Sequence, residues 1–221
     1  VHGVQSAAVG YRGTSLTIAC NLYSNNCNGT DQNQVQIAAV DPATWTTTVI
    51  WPSQDAAQPL APLMAQLVAH RSEATTQHIA PVILDNAAAT LLNAHVGATF
   101  TMTVPTTNGA TLSTGNTNAP SMRFLTLAIV PYLPIYSTTT GGGLLADYSS
   151  FAAVYDATSA DPSVIAPNYV WLRTAGDPAS LRSVRTAIAS GPLALGSFAG
   201  FLYQGSVAPV NDRRALIDDA N

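Results

Sequence analysis

A chain of 221 residues is long enough for one large domain or two small ones, with ample material for a core. Hydrophobic residues make up 47% and charged residues only 9%, far below the usual quarter or so, which leaves a polar but uncharged surface rich in Thr, Ser, Asn and Gln. The net charge is −4, and the eight basic residues, all arginine, are mostly scattered, so the basic stripe that a nucleic-acid binder needs is absent and nucleic acid is excluded as a partner.

In chain order, VQSAAVG (Val4 to Gly10) and SLTIAC (Ser15 to Cys20) read as two strands joined across YRGT as a hairpin. CNLYSNNCNGT follows, with Cys20 and Cys27 on either side of turn chemistry. A disulfide between them would contribute about 2–3 kcal/mol in the chain-entropy model and would imply an oxidising compartment. The alternative is a pair of free thiols in a reducing one. QVQIAAV (Gln34 to Val40) is a half-buried strand, and Asp41-Pro42 then supplies a helix cap and a first-turn proline. That predicts a short helix through Trp45. Leu60, Leu63, Met64, Leu67 and Val68 hold the spacing of a one-faced amphipathic helix, expected to stop near His70 and Arg71, where positive charge suits a helix C-terminus.

A new unit is expected from Ile79. PVILD reads as a strand with Asp85 as a cap, NAAATLLNAHV as a helix stopped by Gly97, and ATFTMTV as an alternating strand. Thr106 to Pro120 is turn-rich and reads as a loop or hairpin tip. Met122 to Val130 returns as a strand. The apolar run from Phe124 to Tyr136 is too short for a membrane span of about 20 residues and is broken by Pro131 and Pro134. GLLAD is the next strand and YSSFAAVYDA the next helix. SADPSVIAPN (Ser159 to Asn168) reads as a crossing between units, YVWLRT as a strand, and Asp177-Pro178 as a second cap-and-proline start. Leu181, Val184 and Ile188 give the helix that follows its apolar face. SFAGFLYQGSV and NDRRALIDDA read as a last strand and a helix that stops in mid-pattern. With no methionine at Val1 and no signal-peptide pattern, this predicts a soluble piece cut from a longer protein. The uneven alternation of strands and helices assigns the chain to the α+β class.

Candidate chemistry is sparse. GSFAG (Gly196 to Gly200) places Ser197 at the wrong offset for a hydrolase nucleophile elbow. His2, His70, His78 and His95 show no metal-ligand spacing. Asp41, Asp161 and Asp177 precede prolines, which capping or turn initiation explains. Asp147, after Gly141-Gly142-Gly143, is the acid most worth testing as a catalytic group, although that loop lacks the residues of a phosphate cradle.

QVQIAAVDPATW, PVILDNAAATLLNAHVGATFTM, FLTLAIVPYLPIYS, NYVWLRTAGDPASLRSVRTAI and DRRALIDDAN, in that order, resemble the ectodomain of FtsX-like permeases, the membrane subunits of MacB-type ABC transporters. The similarity runs from about Val35 to the end. The resemblance implies a porter-like α+β unit built from both chain ends (1–75 and 164–221) with an inserted, mostly β, Sabre-like subdomain (76–163). It implies no catalytic residue, no metal and no cofactor, because ATP hydrolysis in these systems belongs to a separate cytoplasmic subunit. The implied location is the extracytoplasmic face of a bacterial cytoplasmic membrane. The implied partners are the parent's own membrane helices, the ATP-binding subunit, and an extracytoplasmic protein or lipid, with a dimer allowed. The Cys20–Cys27 loop has no counterpart in that pattern. In this frame Phe124 to Val130 is a core strand, and Pro131, Tyr132, Leu133, Pro134 and Tyr136 form a stiff apolar rim for partner binding. Such a rim loses little entropy on docking, and tyrosine pairs an apolar face with a polar tip. Two other readings stand beside it: a secreted hydrolase of envelope carbohydrate, and a free-standing solute-binding protein.

Overall fold

The computed structural model describes residues 2–17, 34–51, 58–104, 121–133, 142–158 and 165–190. Among them are seven strands and six helices, an α+β fold with a mixed sheet, as expected. They are β1 (Val4–Thr17), β2 (Gln34–Val40), α1 (Pro42–Thr48), α2 (Leu60–Ala69), α3 (Arg71–Gln77), β3 (Ile79–Asp85), α4 (Asn86–Leu91), β4 (Thr99–Thr103), β5 (Ser121–Val130), β6 (Gly143–Asp147), α5 (Tyr148–Thr158), β7 (Tyr169–Thr174) and α6 (Pro178–Ser190).

The sheet order is β2-β6-β3-β5-β4-β1-β7, and β1 also pairs with β2. Because Thr17 of β1 meets Thr103 of β4, the six strands β1-β2-β6-β3-β5-β4 close on themselves, and β7 lies outside against β1. β2 runs parallel to β6 and β3 parallel to β5, while β3 and β6 are antiparallel. Residues Val4–Arg173 make one compact unit, and Val1–Gly3 with Thr174–Asn221 make another. The strands expected in an inserted subdomain, β3 to β6, thus share a single sheet with β1 and β2.

Alternation along the strands builds two cores. Val35, Ile37, Ala80, Val82, Leu84, Leu144 and Ala146 face one side, where Phe151, Val154 and Tyr155 of α5 pack. Ala38, Val40, Ile83 and Leu145 face the other, where Trp45 of α1 and Leu60, Leu63, Met64 and Leu67 of α2 pack. Val68, counted in the α2 stripe from its spacing, is 40% exposed. β5 serves both cores. A bulge beside Leu127, where Val82 pairs with Thr126 but Ile83 pairs with Ala128, switches its faces. Met122 and Phe124 consequently join the first core, and Ala128 and Val130 the second.

Two expectations are corrected. YRGT is no hairpin turn: β1 continues through it, with Tyr11 buried and stacked on Phe151 at 5.5 Å. Its turn chemistry instead produces a bulge between Gly13 and Leu16, where the extra residue is absorbed against Val35–Ile37. The helix after Asp85 ends at Leu91 rather than at Gly97. Asn93 takes the left-handed position (φ 49), with Ala94 N–H donating to Ala89 O at 2.8 Å and Asn93 N–H to Thr90 O at 3.2 Å. That is the Schellman pattern, closed by asparagine where glycine was expected. α2 itself ends at Ala69 with His70 as its C-cap, as expected, and Arg71 then opens a further short helix, α3.

In the second unit, Asp177 caps α6 as expected, its Oδ1 accepting from Ala179 N–H at 3.0 Å and Ser180 N–H at 2.8 Å. Val184 is buried, and Leu181 and Ile188 are half-buried. The expected strand and helix beyond residue 190, with Ser197, lie outside the described residues.

Candidate functional site

The polar groups with the most structure around them sit where strands of the sheet run into helices. Asp147 is the last residue of β6, fully buried, and pairs in the sheet with Val40 of β2. Arg71 reaches it from the start of α3 in a fork: Nε donates to Oδ2 at 2.9 Å and Nη2 to Oδ1 at 2.8 Å. Oδ2 also accepts from Ser150 N–H at 3.0 Å and from Ser150 Oγ at 2.7 Å, which caps α5. Four donors on one carboxylate leave it little lone-pair capacity for a substrate proton. Asp147 therefore acts as a structural junction. The hydrogen bond to Asp147, foremost, holds the Arg71 guanidinium above its ordinary range.

Asp85 does comparable work at the end of β3, with no cation beside it among the described residues. It is 5% exposed. Its Oδ1 accepts from Ala88 N–H at 2.8 Å, capping α4, and its Oδ2 accepts from Gly143 N–H at 2.8 Å, at the start of β6. Burial is the main influence, pushing this carboxyl above the usual range against the pull of backbone N–H groups. Asp41 caps α1 locally, accepting from Ala43 N–H at 3.4 Å and from Thr44 Oγ1 at 2.9 Å. His70 Nδ1 contacts Glu73 at 3.0 Å, and His78 closes α3 in the left-handed region.

Of the rim residues, Pro131 is exposed and Tyr132 half-buried, while Pro134 and Tyr136 lie outside the described residues. Leu133 is fully buried in the core with Val40 and Trp45. It anchors the segment rather than offering surface. Cys20 and Cys27 also lie outside the described residues. Among the described residues no cluster of three or more His, Cys, Asp or Glu could hold a metal, and no helix is long and apolar enough to cross a membrane. Sequence reasoning missed both long-range ties, Arg71–Asp147 and Asp85–Gly143, since neither leaves a local spacing signal.

No protein-family model and no curated protein matches the chain. Among solved structures it is similar to the periplasmic region of MacB from Actinobacillus actinomycetemcomitans, at 11% identity and a TM-score of 0.35, over 83% of this chain. The chain spans 64% of that structure's length.

Proposed function

We propose that this chain is a non-catalytic extracytoplasmic domain of an FtsX-like, MacB-type ABC transporter permease. In that role it binds a partner protein, a lipid or the exported substrate, and relays motion between that partner and the membrane helices. ATP hydrolysis would reside in a separate cytoplasmic subunit.

The observation that carries the reading is the order of strand, capping aspartate and helix along the chain. β2–Asp41–α1, β3–Asp85–α4 and β7–Asp177–α6 fall in the stretches whose order resembles the permease ectodomain. The carboxylate with the best claim to catalysis, Asp147, is occupied by Arg71 and Ser150, which favours a binding and relay role over hydrolysis.

The binding rim is Pro131 and Tyr132, continued by Pro134 and Tyr136, with Leu133 as its buried anchor. Proline limits the freedom lost on docking, and the half-buried tyrosine is already partly ordered. In the full-length parent, Tyr132→Ala with Tyr136→Ala should impair transport while leaving the domain's melting temperature unchanged. Unchanged transport removes the rim from the reading. A native gene without apolar runs of about 20 residues on either side of this segment overturns the permease assignment itself.

A further inference from the structure

The Asp85 junction has the construction of a latch. A buried carboxylate usually keeps its charge only beside a cation or with its oxygens satisfied, and among the described residues Asp85 relies on backbone N–H groups alone. One oxygen serves its own helix through Ala88; the other holds Gly143, 58 residues further along the chain. The held strand end fits tightly. Gly142 stands at φ +81, and a Cβ there would sit on Ala88 N and 2.5 Å from Asp85 Oδ1. Its carbonyl accepts from Gln36 N–H of β2 at 3.1 Å. One carboxylate thus fixes the start of β6 against β3 and α4.

We propose that Asp85 is a proton-operated latch: ionised, it clamps the first residues of β6, and on taking up a proton it releases Gly143 while the sheet stays folded. The chemistry sets the order of events. A carboxylate accepts at both oxygens, whereas a carboxylic acid has one hydroxyl that must donate. The oxygen facing Ala88 is backed by the adjoining helix turn, so the bond crossing to Gly143 is the one surrendered.

Among the described residues, no other charge competes for control. Helices α2 and α4, both packed on β3, carry no titratable side chain. On β5, Arg123 pairs with Ile79 at the far end of β3. On β6, Asp147 lies at the opposite end and is held by Arg71. Glu73 sits with Arg71 on α3, and α5 carries Tyr148, Tyr155 and Asp156. His95 lies between α4 and β4. Among the described residues, burial foremost and then the N–H groups of Ala88, Gly143 and Ala87 set the Asp85 proton affinity. Protonation relieves a buried charge, so the whole chain does not unfold with the latch.

The test is amide hydrogen exchange of the 221-residue chain between about pH 7 and pH 3.5, corrected for intrinsic rates, with the Asp85 carboxyl carbon followed by NMR. Gly143 protection should fall about tenfold in step with the Asp85 titration, while Val82 in the middle of β3 holds its protection. Asp85→Asn, which can accept at only one atom, should leave Gly143 weakly protected at every pH. If that variant does not fold, the wild-type titration still decides. A Gly143 amide that ignores the Asp85 titration overturns the latch, and so does one whose loss is matched at Val82.

Discussion

Replacing Arg71 by alanine should cost more stability than replacing its partner Asp147 by asparagine, although both changes break the same ion pair. Asp147 is fully buried, while the Arg71 side chain is 42% exposed. Arg71→Ala strands a carboxylate in the interior with only the two Ser150 donors. Breaking a buried pair from one side costs about 3–5 kcal/mol, and water at the half-exposed guanidinium weakens the pair, so about 3 kcal/mol is the working figure. Asp147→Asn leaves an arginine free to hydrate and keeps an oxygen for Ser150 N–H, for about 1 kcal/mol. The double variant has no uncompensated buried charge and should recover part of the Arg71→Ala loss, a coupling of about 1 kcal/mol or more. Urea unfolding followed by tryptophan fluorescence suits the measurement, because Trp45 is fully buried. For a chain of this size each kcal/mol moves the melting temperature by about 2–4 °C, which puts Arg71→Ala about 6–12 °C below the parent. An Arg71→Ala variant no weaker than Asp147→Asn, or strict additivity in the double variant, would refute the reasoning.

Gly142→Ala should destabilise by about 2 kcal/mol or more, because it places a Cβ on Ala88 N at a left-handed backbone position; an unchanged urea midpoint sinks that expectation. In acid, opposite signs should be separable. Asp85, raised by burial, contributes stability that is full below the unfolded value of about 3.9 and is lost as pH rises through its folded value. Asp177, lowered mainly by the Ser180 hydroxyl, contributes stability present above about 3.9 that is lost as pH falls through its folded value. Asp177→Ala should therefore lower the urea midpoint modestly at pH 7 and flatten the loss of stability below about pH 4, measured by titrating the midpoint against pH. Thiol counting on the denatured, unreduced chain should find none if Cys20 and Cys27 are joined, and reduction should then cost about 2–3 kcal/mol; two reactive thiols would remove the disulfide.

Much of the fold is legible because its local signals agree. The apolar runs QVQIAAV, PVILD and GLLAD become β2, β3 and β6 within a residue or two, and the Leu60–Leu67 spacing becomes the buried face of α2. Bulges mark where local reading stops short. Bulges at Gly13–Leu16 and beside Leu127 alter strand geometry without altering local composition. A glycine-bearing bulge looks like a turn, and nothing in SMRFLTLAIV marks where the halves of β5 turn to opposite cores. The aspartates show where local reading ends. Asp41, Asp85 and Asp177 are legible as caps and Asp147 only as an acid worth testing for catalysis, yet Asp85 and Asp147 do more. Asp41 and Asp177 stand beyond the last paired residues of β2 and β7, and each is followed by proline, so their carboxylates stay with nearby donors. Asp85 and Asp147 are themselves the last paired residues of β3 and β6, set against Val130 and Val40. A cap inside the ladder is buried, and its remaining acceptor capacity must be met from wherever the fold brings a donor. Gly143 supplies that donor for Asp85 and Arg71 for Asp147, across 58 and 76 residues of sequence. The distinction between a cap and a junction is thus a matter of one residue's position relative to the end of a strand, and only pairing partners elsewhere in the chain set where that end falls.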